Sequence, residues 1–150
     1  MASRDDVEAI RSLVYAYAEL IDEGNLDGLA NLFEHASWRA AGVNFVARGT
    51  AEVRAMYDGV ILYDGTPRTK HVISNVTIEI DGHRARARSY FTVLQAVRGF
   101  SLQPIIAGRY TDEFEKAGGV WRFDDRLITS DLVGDLSHHM AQGPTRLEPS

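Results

Sequence analysis

Apolar residues recur at helical spacing through the first third of the chain and alternate with polar ones through most of the rest. Val7, Ile10, Val14, Tyr17 and Ile21 form one stripe, which predicts an amphipathic helix running to about residue 22. Ser3, followed three residues later by Asp6, resembles a capping box, and Asp5 and Asp6 stand in the first turn, where the helix dipole favours acids. Gly24 is a plausible helix stop and Asn25 the next cap. Leu26, Leu29, Ala30, Leu32 and Phe33 then predict a second, short helix. Residues 36–48 read as a short irregular hairpin. Gly49-Thr50 caps a third helix whose apolar face is Val53, Met56, Tyr57, Val60 and Ile61, and residues 63–67 form a loop.

Beyond Pro67 the period changes to two. Residues 69–80, 83–98, 103–116 and 120–132 predict four strands, separated by turn signals at Asp81-Gly82 and Gly118-Gly119. Arg84, Arg86 and Arg88 alternate with Ala85, Ala87 and Ser89, so one face of that strand is wet, as in an antiparallel sheet covered on one side. Helices first and a meander afterwards make an α+β fold. A long twisted sheet curls, and three N-terminal helices laid across it close a cone around an apolar pocket, the default place for a small ligand. Residues 1–134 are expected to be one such domain. Residues 135–150, with Gly143, Pro144 and Pro149, are expected to be a flexible or partner-held tail.

Composition narrows the function classes. With 45% hydrophobic and 25% charged residues the chain is an ordinary globular sequence, and its formal charge of −5 argues against binding nucleic acid, which needs a basic surface. No run approaches the ~18 apolar residues of a transmembrane helix, and no signal-peptide core opens the chain. The expectation is a cytoplasmic protein without membrane contact. The absence of cysteine excludes disulfides, thiolate zinc sites and a cysteine nucleophile. No Ser-His-Asp order, phosphate loop or dinucleotide fingerprint is present, so neither cofactor nor metal is expected. His35, His83, His138 and His139 are scattered, the last two in the tail, where adjacent histidines without fixed geometry are weak grounds for a metal.

One residue is out of place. Asp22 ends the first helix, where the dipole disfavours an acid by a few tenths to about 1 kcal/mol. Either it caps the following turn through its side chain, or a partner elsewhere holds it there.

Three segments, YAELID-x-G-x-x-D-x-L-x-x-LF, TKHVISN and GRYTDEFEKAGGVWRF (108–123), together resemble the nuclear-transport-factor-two-like superfamily and, within it, the SnoaL-like branch of scytalone dehydratase and hexachlorocyclohexane dehydrochlorinase. The match spans residues 4–132 and implies the cystatin-like α+β cone. By this resemblance Asp22 and His71 fall on the Asp–His pair of those enzymes, and Arg126 near an active-site arginine of the dehydrochlorinase. Two positions depart from scytalone dehydratase: a second active-site histidine falls at about Leu94, and a substrate-binding tyrosine at Ile21.

The residues allow a concrete chemistry. A histidine steadied by a carboxylate has a fixed tautomer and serves as general base. Arg126 would stabilise a leaving anion or oxyanion, or else form an outward salt bridge with Asp124 or Asp125. Asn75 shares strand parity with His71, so in a strand without a bulge its amide faces the same side. Tyr17, Phe33, Trp38 and Tyr57 would supply the walls, and Tyr110 with Asp112 a structural cross-strand pair. The reading is a cofactor-independent lyase of dehydratase type acting on a small apolar molecule, with hydrolysis or isomerisation as variants. The alternative is a non-catalytic hydrophobic-ligand-binding or assembly module of the same fold. The arginine-flanked strand, Phe100 and Leu102 suggest a homo-oligomer, dimer or trimer.

Overall fold

A computed structural model describes residues 3–141. Helix α1 (Arg4–Asp22) opens on the expected capping box: Ser3 accepts from the Asp6 backbone N–H, and the Asp6 carboxylate accepts from Ser3. Asp6 also accepts from Trp121 Nε1 at 2.8 Å and Lys116 Nζ at 3.0 Å, which ties the start of the helix to the far hairpin. The predicted stripe is buried, with Ile10, Val14, Tyr17 and Ile21 inside.

α1 stops where expected. Gly24 adopts a φ of +76°, and a Cβ there would lie 1.9 Å from the Gly65 carbonyl oxygen, so only glycine lets the helix end approach the 63–67 loop. Asn25 then caps α2 (Leu26–Asn31) by accepting from the Gly28 N–H.

Strands β1 (Ser37–Ala40) and β2 (Val46–Arg48) form the short hairpin, and α3 (Gly49–Met56) follows. The third helix is shorter than expected, because the chain tightens into a 3-10 turn at Tyr57–Gly59. Strands β3 (Thr69–Asp81), β4 (Arg84–Val97), β5 (Phe100–Ala117) and β6 (Val120–Val133) complete one curled six-stranded sheet of order β2-β1-β6-β5-β4-β3. Every pairing is antiparallel except β1 on β6. The helices cover its concave face, whose apolar core includes Phe33, Phe91, Tyr110, Phe114 and Phe123. No helix of the described residues is long and apolar enough to cross a membrane.

Two bulges decide which side chains face that core. In β3 the register passes from Ser74↔Tyr90 to Thr77↔Arg88, so Asn75 and Val76 together oppose one residue of β4. Asn75 takes a φ of +54° and is exposed. The bulge therefore breaks the parity that would have placed Asn75 beside His71. In β6 the register passes from Glu113↔Asp125 to Phe114↔Phe123, leaving Asp124 extra. Trp121 and Phe123 face inward before that bulge, and Arg126 does so after it. Arg126 is thus internal rather than an outward partner of Asp124 or Asp125; Asp125 pairs with Arg39 instead.

Residues 136–141, at the start of the expected tail, are docked on the body of their own chain. Ile61 N–H donates to the His139 carbonyl at 2.8 Å, Ala141 N–H donates to the Gly59 carbonyl at 2.8 Å, and Met140 bridges Val60. Residues 142–150 of the expected tail lie outside the described residues. Phe100, expected on an oligomer face, is buried with its ring stacked 4.2 Å from that of His138, whereas Leu102 is exposed.

Candidate active site

The C-terminal end of α1 lies against the first residues of β3, and the misplaced acid finds its partners there. His71 Nδ1 lies 2.7 Å from Asp22 Oδ1, and the His71 backbone N–H donates to Asp22 Oδ2 at 2.8 Å. Thr69 Oγ1 donates to Asp22 Oδ1 at 2.8 Å. The carboxylate thus serves two adjacent inward positions of β3 at once, and both side chains of the pair are nearly excluded from solvent, His71 at 6% and Asp22 at 10% exposure. Burial raises the Asp22 carboxyl, but the hydrogen bonds and charge of His71 and the bond from Thr69 together hold it below its ordinary value of 3.8. An ionised Asp22 accepts from Nδ1–H, which leaves the lone pair of His71 on Nε2. This is the arrangement of a general base.

Deeper along the concave face stands a second buried pair. Arg126 Nε and Nη2 donate to Asp112 Oδ1 and Oδ2 at 2.7 and 2.9 Å, with both side chains fully buried. The guanidinium lies 3.7 Å from the Tyr110 ring centroid and 4.3 Å from that of Tyr17. Burial raises the Asp112 carboxyl despite the neighbouring cation. On Arg126 burial is outweighed by Asp112, and the guanidinium stays protonated.

The remaining nitrogen, Arg126 Nη1, has no partner among the described residues, and neither does Trp38 Nε1. Trp38 is the register neighbour of Arg126 on β1, so two residues with an unpaired buried donor each stand on adjacent strands. Buried donors are seldom left unmatched, and such a pair suits an oxygen or another electron-rich group of a ligand.

Tyr17, Phe33 and Tyr57 close the helical side. The Tyr17 and Tyr57 hydroxyls are hydrogen-bonded, and Phe33 stacks on Phe123 with centroids 5.1 Å apart. Burial pushes the Tyr57 and Tyr110 phenols well above their usual range, so both stay protonated.

The structure thus brings Asp22 to His71, and gathers Tyr17, Phe33, Trp38 and Tyr57 around Arg126. Asn75 stays outside. Phe33, Tyr17 and Tyr57 belong to the buried core, and Trp38 packs against it. Two surface clefts, of about 630 and 410 Å3, lie at the Asp81–Arg84 turn and beside the Tyr63–Thr66 loop, and neither is lined by Asp22 or His71.

Sequence reasoning missed Thr69, Gln95 and His139. Thr69 did carry a signal, standing two residues before His71 and so on the same face. Gln95 faces Thr69 across the β3–β4 ladder. His139 is 7% exposed, and burial together with the charge of His71 pushes its imidazole down to about 4, against a smaller opposing effect of Asp22.

Residues 2–127 match the family described as a SnoaL-like domain. Among curated proteins none matches the chain in sequence. Solved structures with the same fold include a nuclear-transport-factor-two-like protein with a cystatin-like fold from Novosphingobium aromaticivorans, 25% identical over 85% of this chain and 82% of that one, with a TM-score of 0.71. A candidate scytalone dehydratase from the same species is 24% identical, with 87% of each chain covered and a TM-score of 0.71. LinA is 22% identical over 93% of this chain and 95% of its own, with a TM-score of 0.72. The match over residues 2–127 and the cystatin-like cone agree, and the chain belongs to the SnoaL-like family of the nuclear-transport-factor-two-like fold.

Proposed function

We propose that the protein is a cofactor-independent lyase of dehydratase type, acting on a small apolar molecule with His71 as general base. The observation that carries this reading is the buried Asp22–His71 pair, whose hydrogen bonds leave the free lone pair on Nε2. Nε2 removes a proton from a carbon beside an electron-withdrawing group. The C–H electron pair becomes the new double bond, and a group on the neighbouring carbon leaves with its own bonding pair. Hydroxide leaving in this way, with the proton that His71 took, makes water. Arg126 Nη1 and Trp38 Nε1 are the donors available to an oxygen that gains charge on the way. The likeness to a candidate scytalone dehydratase supports a dehydration in this fold.

A base of this kind contributes roughly 10²–10⁴ in rate, or about 3–5 kcal/mol of barrier. The test is a panel of aryl β-hydroxy ketones, whose elimination gives conjugated enones followed by absorbance. His71→Ala is expected to lose turnover by that factor while the protein stays folded. Full turnover by His71→Ala on any substrate of the panel overturns the base.

A second reading, a module that holds a hydrophobic ligand without changing it, is favoured by Leu94, which by the resemblance stands where scytalone dehydratase has its second active-site histidine. Its mark is a ligand recovered chemically intact and bound equally well by Asp22→Asn. The exposed apolar residues Val72, Tyr90, Leu102, Leu132 and Val133 support a homo-oligomer in either case.

A further inference from the structure

The cleft of about 410 Å3 beside the Tyr63–Thr66 loop is lined by Tyr63, Asp64, Thr66, Arg68, Val97 and Arg98. That is room for one small molecule. Its walls are tied down. Tyr63 and Thr66 exchange main-chain hydrogen bonds of 2.7 and 3.3 Å, and Tyr63 Oη donates to the His138 carbonyl at 2.6 Å, which spends the phenol hydrogen and leaves the ring as a wall. Ala96 holds Arg68 twice: its N–H donates to the Arg68 carbonyl at 3.4 Å, and its own carbonyl accepts from Arg68 Nε at 3.4 Å. Ala96 stands two residues before Arg98, so this clamp brings both arginines onto one cavity.

The charges of the cleft are unspent. On a chain of formal charge −5, Arg39, Arg84, Arg86, Arg109 and Arg122 each pair with a carboxylate. Arg68 and Arg98 pair with none among the described residues, although Asp64 lines the same cleft. With Nε on Ala96, Arg68 keeps Nη1 and Nη2 as a free fork, and the Arg98 guanidinium makes no hydrogen bond among the described residues. The backbone is strained at the same place. Asp64 and Arg68 have φ of +54° and +60°, two of the three non-glycine residues with positive φ among those described. Asp tolerates this region; arginine seldom does, and such strain gathers where a site fixes it.

We propose that this cleft binds a small organic carboxylate, at a site separate from the Asp22–His71 pair. The carboxylate takes two parallel N–H bonds from the Arg68 fork and a further one from Arg98, and its apolar body lies on Val97 and the Tyr63 ring. Asp64 sets the charge of the occupant. A monoanion beside it balances the two guanidinium groups, whereas a phosphate dianion brings one negative charge too many. The assignment does not depend on the lyase reading, because neither Asp22 nor His71 lines the cleft.

The test uses the full chain with 15N-labelled arginine side chains at fixed ionic strength, with benzoate as the probe and benzamide and inorganic phosphate as its matched controls. Benzoate is expected to shift the Nε–H signals of both Arg68 and Arg98, and benzamide to leave them in place. Arg98→Gln should weaken benzoate binding about tenfold, the size of one lost charge-assisted hydrogen bond. Asp64→Asn should strengthen it about threefold, since an exposed opposing charge is removed. His71→Ala should bind benzoate as the unaltered protein does, whatever it does to turnover.

Benzoate that leaves either arginine signal unmoved overturns the site, as does benzamide acting equally. Phosphate binding more tightly than benzoate overturns the ligand class, and so does Asp64→Asn without a gain in benzoate affinity. Loss of benzoate binding in His71→Ala overturns the separation of the two sites.

Discussion

Asp22 accepts three hydrogen bonds, from His71 Nδ1, the His71 main chain and the Thr69 hydroxyl, and this redundancy sorts its variants. Asp22→Asn keeps the shape but presents no full charge to the imidazolium that the proposed proton abstraction forms; it is expected to lower kcat on a panel substrate by at least tenfold. Thr69→Val leaves the two bonds to His71 intact, and its loss is expected to stay within a few-fold. Equal losses in the two variants, measured by initial rates, would contradict the division of roles. Arg126 and Asp112 behave differently, because each leaves a buried uncompensated charge when the other is removed. Arg126→Met is expected to cost about 3–5 kcal/mol by urea denaturation, and Arg126→Met with Asp112→Leu to recover most of it. These residues also mark what a sequence discloses. Asp22 stood out because helix electrostatics disfavour it, and the family resemblance supplied its partner. The inward direction of Arg126 was hidden, because one extra residue, Asp124, inverts the alternation on which any strand reading depends.

Among the elements, boundaries set by local chemistry were the legible ones. The Ser3–Asp6 box, the Gly24 stop and the Asn25 cap carry their own signals, and so do the glycine turns between the long strands. The bulge at Asn75 and the docking of residues 136–141 carry none, because their partners are main-chain groups far along the sequence. Gly24 shows how much depends on one such junction. Its left-handed backbone, and a Gly65 carbonyl oxygen 1.9 Å from where a Cβ would stand, leave no room for a side chain. Gly24→Ala is expected to destabilise the fold by more than about 2 kcal/mol, since the φ penalty alone is about 1–2 and the contact is with rigid backbone. Thermal denaturation reads this directly. Gly65→Ala, with nothing near its own Cβ position, should incur the backbone penalty only.

At the scale of the whole molecule, Asp22 and His139 are two of the groups through which stability answers acid, and their windows differ. Asp22 is held below 3.8 when folded, so its contribution to stability is complete above about pH 4 and is lost as the pH falls further. His139 is pushed from 6.5 down to about 4. Between those values the unfolded chain binds a proton that the folded chain refuses, so stability falls as the pH drops from 6.5 toward 4. Urea midpoints measured across this range are expected to slope downward on acidification, and His139→Phe to flatten the part above about pH 4. A slope that survives that substitution would locate the response elsewhere.

The anchorage of the C-terminal turn has a further consequence. Besides the His138 ring stacked on Phe100, it is fastened through the carbonyls of His138 and His139 and the amide of Ala141, groups that every amino acid but proline possesses. The side chain at position 139 is therefore an interchangeable fitting on a fixed bracket. Substitutions at that position are expected to leave the turn seated on the body of the chain.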